Sequence, residues 1–332
     1  MSKQVITFGD VMMRLSTPGF ARFTQTETFQ VRYAGSEANV AAALAGWGFP
    51  ARHVTRFPDN DFGKAASESL RKYGVDTSSI QYGEERLGLY FLENGAMQRS
   101  SRILYDRFDS AFVAIQPGVI DWDNIMSQAR WFHWSGITPA LSQGAAAVCQ
   151  EALRSARKHN VMISGDINYR RNLWQYGKQA SEVMPDLIGL SDILIGDVVD
   201  FENSLGIVEP DFEKACREVQ KLNPAVKKVA KTTRKSISSS HNKIGGVLWT
   251  GKELLTSREY DLTHIVDRVG AGDAFMAGLI AGWLTNKTDQ QTLELGVASC
   301  ALKHSIEGDV NVCTMAEIES TIKGENVGKL LR

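Results

Sequence analysis

The sequence predicts an α/β fold: a central, mostly parallel sheet with helices on both faces, plus a small β-sheet set as a lid over one edge. Three observations carry this. Short apolar runs alternate with stretches of helical length along most of the chain. Two segments interrupt that rhythm with polar–apolar alternation. The composition, 43% hydrophobic and 23% charged over 332 residues, suits a folded chain with a sizeable core.

Val5–Phe8 reads as a buried strand that ends in Gly9-Asp10, and Glu37–Trp47 as an alanine-rich helix packed closely on the sheet. Further strands are expected at His53–Arg56, Trp131–Trp134, Val161–Ile163, Ile193–Ile195 and Val226–Lys231. Between them, helices are expected at Phe62–Tyr73, Gln143–Lys158, Gln179–Leu187 and Phe212–Leu222. The interrupting segments are Phe20–Tyr33 and Gly88–Tyr105, the second turning at Asn94-Gly95, a strong hairpin signal. Neither is long enough for a domain of its own. The expected organisation is one domain over residues 1–332, with lid segments at about 12–34 and 86–108 inserted.

A formal net charge of −1 gives no electrostatic case for nucleic acid or an anionic membrane as partner. The four cysteines are scattered without a C-x-x-C pair, and no two of the six histidines stand at i, i+4. Reduced thiols and no zinc centre are the expectation. The N-terminal residues MSKQVITFGD hold no apolar leader, and the apolar passage Ala274–Leu284 is too short to span a bilayer. The protein is expected to be cytoplasmic.

The sharpest motif is Asp267-Arg268-Val269-Gly270-Ala271-Gly272-Asp273, followed by the apolar run AFMAGLIAGWL. Small residues permit a tight turn, and a helix beginning at Asp273 would aim free N–H groups and its positive dipole end at one spot, an anion site. A carboxylate beside that spot can take a proton from a hydroxyl while the N–H groups stabilise a transferring phosphoryl group. Asp273 as a plain helix cap accounts for the same residues. A second small-residue turn, Ala34-Gly35-Ser36-Glu37-Ala38-Asn39, brings an amide into a helix start, suited to contact ligand hydroxyls or simply to begin the helix. Gly246–Glu253 has the Gly and Lys spacing of a P-loop, but it lacks the following Ser/Thr and reads as a strand entering a turn.

Together and in this order, the two turns resemble the signature regions of the ribokinase (PfkB) carbohydrate kinases, and the resemblance runs through essentially the whole chain, including Asp59-Asn60-Asp61-Phe62-Gly63 before a helix. It implies a ribokinase-like fold, ATP with magnesium, and phosphorylation of a primary hydroxyl. Asp273 matches the catalytic base, and the backbone of Gly270, Ala271 and Gly272 the anion hole. Within the family, the chain looks most like 2-keto-3-deoxygluconate kinases, on Leu87-Gly88-Leu89-Tyr90-Phe91, Ile103-Leu104-Tyr105-Asp106-Arg107, Asp166-Ile167-Asn168-Tyr169-Arg170 and Gly308-Asp309. That likeness implies an acid sugar held by Arg107 and Arg170, whose forks suit a carboxylate. Tyr90 and Tyr105 would add hydroxyls and ring faces, and Asp10, Gly35, Asn39, Ile137 and Asp309 the remaining contacts. Taken singly, Asp106-Arg107 reads as a surface ion pair.

The nucleotide side departs from the family pattern. Where Asn-x-x-Glu is common, this chain has Asp197-Val198-Val199-Asp200, so magnesium is expected to be organised by Asp197 and Asp200 indirectly, through water. The usual Asp-Thr before the turn is replaced by Asp267-Arg268-Val269, which leaves a monovalent-cation site open. Asn168, Asp197, Thr232, Arg234, Gly246, Gly272 and Ala298 are the expected nucleotide contacts. The expected reaction is ATP-dependent phosphorylation of the terminal (6-) hydroxyl of 2-keto-3-deoxygluconate. A kinase of a neutral sugar such as fructose or ribose, and a non-catalytic sugar sensor on the same fold, are the alternatives. An exposed lid sheet needs cover, so a homo-oligomer paired through the lid is expected.

Overall fold

The computed structural model describes residues 3–83 and 85–325; residues 1, 2, 84 and 326–332 of the expected 1–332 domain lie outside the described residues. Six strands of the main sheet run parallel, in the order Ala51–Val54, Gln4–Phe8, Ala129–Ser135, Met162–Asp166, Ile193–Ile195 and Lys228–Ser238. The antiparallel strand His241–Trp249 continues the sheet and pairs with both Leu254–Thr256 and Tyr260–Leu262. Successive residues of a strand point to opposite faces. Val5, Trp131, Ile193 and Ala230 accordingly join one buried cluster, and Ile6, Phe132, Leu194 and Val229 another. Burial on both faces is why these strands read as unbroken apolar runs.

The first face is covered by helices Ser36–Gly46, Ala271–Leu284 and Asp289–Lys303, and the second by Gln143–Lys158, Ala180–Ile188 and Phe212–Leu222. Gln143–Lys158 and Phe212–Leu222 fall on the expected bounds because each starts at a side-chain cap: Ser142 Oγ accepts from Ala145 N–H, and Asp211 Oδ1 from Lys214 N–H. Gly246–Glu253 runs from strand into turn, as expected, and builds no phosphate loop.

A separate four-stranded sheet has the order Gln30–Ala34, Met12–Ser16, Leu89–Glu93, Arg102–Asp106. Two expectations need correction here. Of Phe20–Tyr33 only Gln30–Tyr33 extends as strand. Upstream, Arg22 and Gln25 bond each other locally, a competitor that polar side chains offer to a ladder. The second hairpin does not turn on Asn94-Gly95 as a two-residue loop. Its loop spans residues 94–101 and is closed by reciprocal bonds between Ala96 and Arg99, with Met97 in the left-handed region at φ 52°. Register places Arg14, Tyr90 and Tyr105 in one row across the sheet, and Val31, Leu15, Phe91 and Leu104 in another row on the opposite face. Val31 and Leu104 of the second row are exposed.

Candidate active site

The carboxyl ends of the parallel strands and the inner row of the small sheet enclose a cavity of about 730 Å³, the size of a substrate site and the usual place for one in an α/β sheet. It is lined by Asp10 after strand Gln4–Phe8, Ile137 after Ala129–Ser135, Asp166, Asn168 and Arg170 at and after the end of Met162–Asp166, and Asp197 and Asp200 after Ile193–Ile195. Tyr90, Tyr105 and Arg107 line it from the small sheet, and Gly270, Ala271, Gly272, Asp273 and Asp309 from the C-terminal third.

The anion turn is built around Gly270, at φ 82°, where a Cβ would lie 1.8 Å from the carbonyl oxygen of Asp309. Only glycine satisfies both the backbone and that approach. Gly35 is similar: a Cβ there would meet the Asp10 carbonyl oxygen at 1.9 Å. The helix starts at Ala271 with Gly270 at its N-cap, two residues before the expected start. Asp273 is therefore in the first turn and is not the cap. Its carboxylate accepts instead from Ser36 Oγ at 2.8 Å and Asn39 Nδ2 at 2.7 Å. The N–H groups of Gly270 and Gly272 have no acceptor among the described residues, while that of Ala271 donates to Arg268 O at 3.3 Å. The Ala271 N–H is thus the one least free for an anion. Burial pushes the Asp273 carboxyl up to about 6, against the lowering effect of its Asn39 and Ser36 donors.

On the sugar side, Arg107 is buried and its Nη2 donates to Asp10 Oδ2 at 2.7 Å, so the exposed-pair reading with Asp106 does not hold. Asp106 pairs with Arg86. The Nε of Arg107 is buried without a partner among the described residues. Arg170 is exposed, and among the described residues its guanidinium is held only by Tyr169 O. The Tyr90 hydroxyl donates to Asp309 Oδ1, and Arg14 Nη1 donates to Asp309 Oδ2 at 2.8 Å. Asn39, expected to meet ligand hydroxyls, has its amide committed to Asp273.

On the other side, Thr232 and Arg234 line the cavity with Asp197 and Asp200, but Gly246 and Ala298 do not. Gly246 lies on the buried strand His241–Trp249, where a Cβ would meet Val297 at 2.7 Å, and Ala298 is in the apolar core of helix Asp289–Lys303. These two expectations are corrected: the residues pack strand His241–Trp249 and helix Asp289–Lys303 together behind the cavity wall. Asn168 lines the cavity in the left-handed region, at φ 41°.

The Asp197/Asp200 pair forms a capping box. Asp200 Oδ2 accepts from Asp197 N–H at 2.8 Å and Oδ1 from Tyr169 N–H at 3.0 Å, while Asp197 Oδ1 accepts from Val198 N–H and Lys231 Nζ, both at 2.7 Å. No cluster of three His, Cys, Asp or Glu among the described residues is arranged to hold a metal. These donors fit magnesium only as an ion carried chiefly by water and phosphate oxygens, the way that ion is usually bound.

Several participants escaped the sequence reading. Lys231 and Arg268 line the cavity and add positive charge beside Arg234. Glu37 is a buried carboxyl and Asp166 a half-buried one; desolvation pushes them up to about 7 and about 8, and the neighbouring charges of Asp200 and Asp273 add to the rise at Asp166. Glu37 accepts from Ser135 N–H at 3.2 Å and Thr138 Oγ1 at 2.9 Å. Arg14 is buried and bridges Asp309 to Asp267. The one signal available was a lone charge inside an apolar run, as in Met12-Met13-Arg14-Leu15.

A cavity with a carboxylate held by two donors, a helix start with free N–H groups and cationic side chains on both sides is the arrangement of a phosphotransferase that acts on a hydroxyl. Residues 2–313 match the pfkB family carbohydrate kinase model. The chain belongs to that family, and it is a carbohydrate kinase. It is 28% identical over 328 residues to the 2-dehydro-3-deoxygalactonokinase of Haloferax volcanii, covering 99% of both chains. It is also 28% identical over 314 residues to the 2-dehydro-3-deoxygluconokinase of Thermoproteus tenax, covering 92% of this chain and 89% of that one. Among solved structures, the 2-dehydro-3-deoxygluconokinase of Thermotoga maritima superposes with a TM-score of 0.92 at 41% identity, over 97% of this chain and all of the other. The ribokinase-like fold is as expected.

Proposed function

We propose that this kinase transfers the γ-phosphoryl group of ATP to the terminal (6-) hydroxyl of 2-keto-3-deoxygluconate or a closely related 2-keto-3-deoxy sugar acid. The observation that carries the proposal is the presence of Arg107 and Arg170 in the same cavity as Asp273 and the free N–H groups of Gly270 and Gly272. A sugar acid brings a carboxylate to the arginine end and a primary hydroxyl to the aspartate end. Relatives named for the gluco and galacto forms of one acid sugar support the substrate class.

In this reading Asp273 takes the proton of the hydroxyl as it attacks the phosphorus in line. The turn N–H groups, Lys231, Arg234 and Arg268 receive the phosphoryl oxygens. Magnesium, when bound with the nucleotide, neutralises charge on the phosphates. Asp197 and Asp200 would hold its water shell, consistent with their position at the cavity wall. The small sheet acts as a lid that excludes water. Cytoplasmic residence fits a demand for ATP, and no described helix is long and apolar enough to cross a membrane. Pairing of two copies through the exposed Val31 and Leu104 face belongs to the same proposal, and a monomer in sedimentation equilibrium would remove it.

The test is ADP release over a panel of neutral sugars and both epimers of the acid sugar. Turnover on the acid sugars alone supports the assignment. Preference for fructose or ribose would replace it with a neutral-sugar kinase, and absence of turnover on every sugar would favour a sensor.

A further inference from the structure

Lys303, the last residue of helix Asp289–Lys303, is fully buried. Its ammonium donates to two main-chain carbonyl oxygens, Asp267 O at 3.2 Å and Ile306 O at 3.1 Å. A lysine that merely ended the helix would send its charge out to water. Burying an ammonium against neutral partners is costly, and a methionine would fill the same space without that cost. The two carbonyls belong to the two turns that form the anion site. Asp267 opens the segment leading to Gly270, and Ile306 opens the one leading to Asp309, whose carbonyl lies against Gly270. The side chain of Asp267 is occupied as well, by Arg14, the N–H of Gly308 and the N–H of Val269.

Converging main-chain carbonyls are the ligands that a potassium or sodium ion takes. Here the carbonyls already hold a compact cation of the same charge on a flexible stem. The residues present therefore do not fit a free monovalent ion at this point. We propose that the Lys303 ammonium is a tethered cation that takes the place of a bound monovalent ion, positions the Gly270–Asp273 turn, and makes turnover independent of added potassium, sodium or ammonium. The tether removes the need to recruit the ion from solution, and it fixes the spacing of the two turns whatever the salt. Lys303 also lies close enough to Asp273 and Asp309 for its charge to oppose the effect of burial on the base.

This inference rests on reading the Gly270–Asp273 turn as the phosphoryl site, and the two fail separately. If Asp273→Asn keeps full turnover, that reading fails whatever the salt response. Wild-type turnover measured in tetramethylammonium buffer with magnesium should be unchanged by potassium, and a rate that rises with potassium overturns the proposal even if the variants do not fold. In Lys303→Met, kcat should fall about 10²-fold with little change in KM for the sugar, as expected when a reacting group is displaced by a fraction of its contact distance. In Lys303→Ala, which opens room at the site, potassium or methylammonium should recover part of the lost kcat and tetramethylammonium none. Full turnover in Lys303→Met, or a folded Lys303→Ala that no cation restores, overturns the proposal.

Discussion

Asn39 holds Asp273 in place across most of the chain: its amide donates to Oδ2 at 2.7 Å, and Ser36 one helical turn earlier donates to Oδ1. Helix Ser36–Gly46 therefore sets both the direction and the basicity of a carboxylate on helix Ala271–Leu284. Asp273→Asn keeps the shape but removes the base, so kcat should fall by about 10²- to 10⁴-fold. Sugar binding, measured by calorimetry, should survive. Near-normal kcat would overturn the assignment of the base.

The same pair sets the pH profile. Asp273 acts as a base only when ionised, and burial raises its carboxyl to about 6. Turnover should thus increase as pH rises through about 6. The donors from Asn39 and Ser36 pull the carboxyl down, so Asn39→Ala and Ser36→Ala should each displace the rise to higher pH. An unmoved profile would separate Asn39 from the base.

Asp166 supplies a stability counterpart. Its folded value, about 8, stands above the ordinary 3.8. A carboxyl raised on folding favours the folded state fully below the ordinary value, and that contribution is lost as pH rises through about 8. Thermal stability of the ligand-free enzyme should fall over that window. Asp166→Asn should flatten the fall and raise Tm on the alkaline side by several degrees. An unchanged slope in differential scanning calorimetry would show that Asp166 does not govern it.

Arg14 spans Asp267 and Asp309, both buried. Arg14→Ala leaves two carboxylates without their cation, and removing one partner of a buried ion pair costs about 3–5 kcal/mol. Urea unfolding should register the loss. A change below 1 kcal/mol, well short of that estimate, would mean that water replaces the guanidinium freely.

The arginines separate acid from neutral sugars. Loss of a hydrogen bond to a charged group is worth about 1.5–3 kcal/mol, so Arg170→Ala should raise KM for the acid sugar about 10- to 100-fold. Arg107→Lys is the milder probe of its partner, because Arg107 also holds Asp10. If both variants use the acid sugar as well as wild type, the carboxylate contact lies elsewhere.

The parts of this molecule that were legible in the sequence are those with local signals. Apolar strands, capped helices and the Gly270-Ala271-Gly272 turn each announce themselves within a few residues. The Gly35 turn was equally visible, but not its purpose, since the Asn39 amide meets a carboxylate more than two hundred positions away rather than a ligand. Lys303 and Arg14 gave almost no signal, because what makes them unusual is burial imposed by distant segments. Gly246 and Ala298 were misplaced for the converse reason: strand His241–Trp249 and helix Asp289–Lys303 pack against each other there and turn both residues away from the cavity. Asp197 and Asp200 were read for a metal, whereas their oxygens first cap a helix.

The bond from Arg14 to Asp309 closes a span of 295 residues, and it has a consequence for synthesis. A ribosome must release residues through Asp309 before strand Met12–Ser16 can find the partners of its arginine. Contacts of such separation form late in folding. A nascent or prematurely terminated chain therefore presents the first half of the pocket without its base, and cannot consume nucleotide while incomplete.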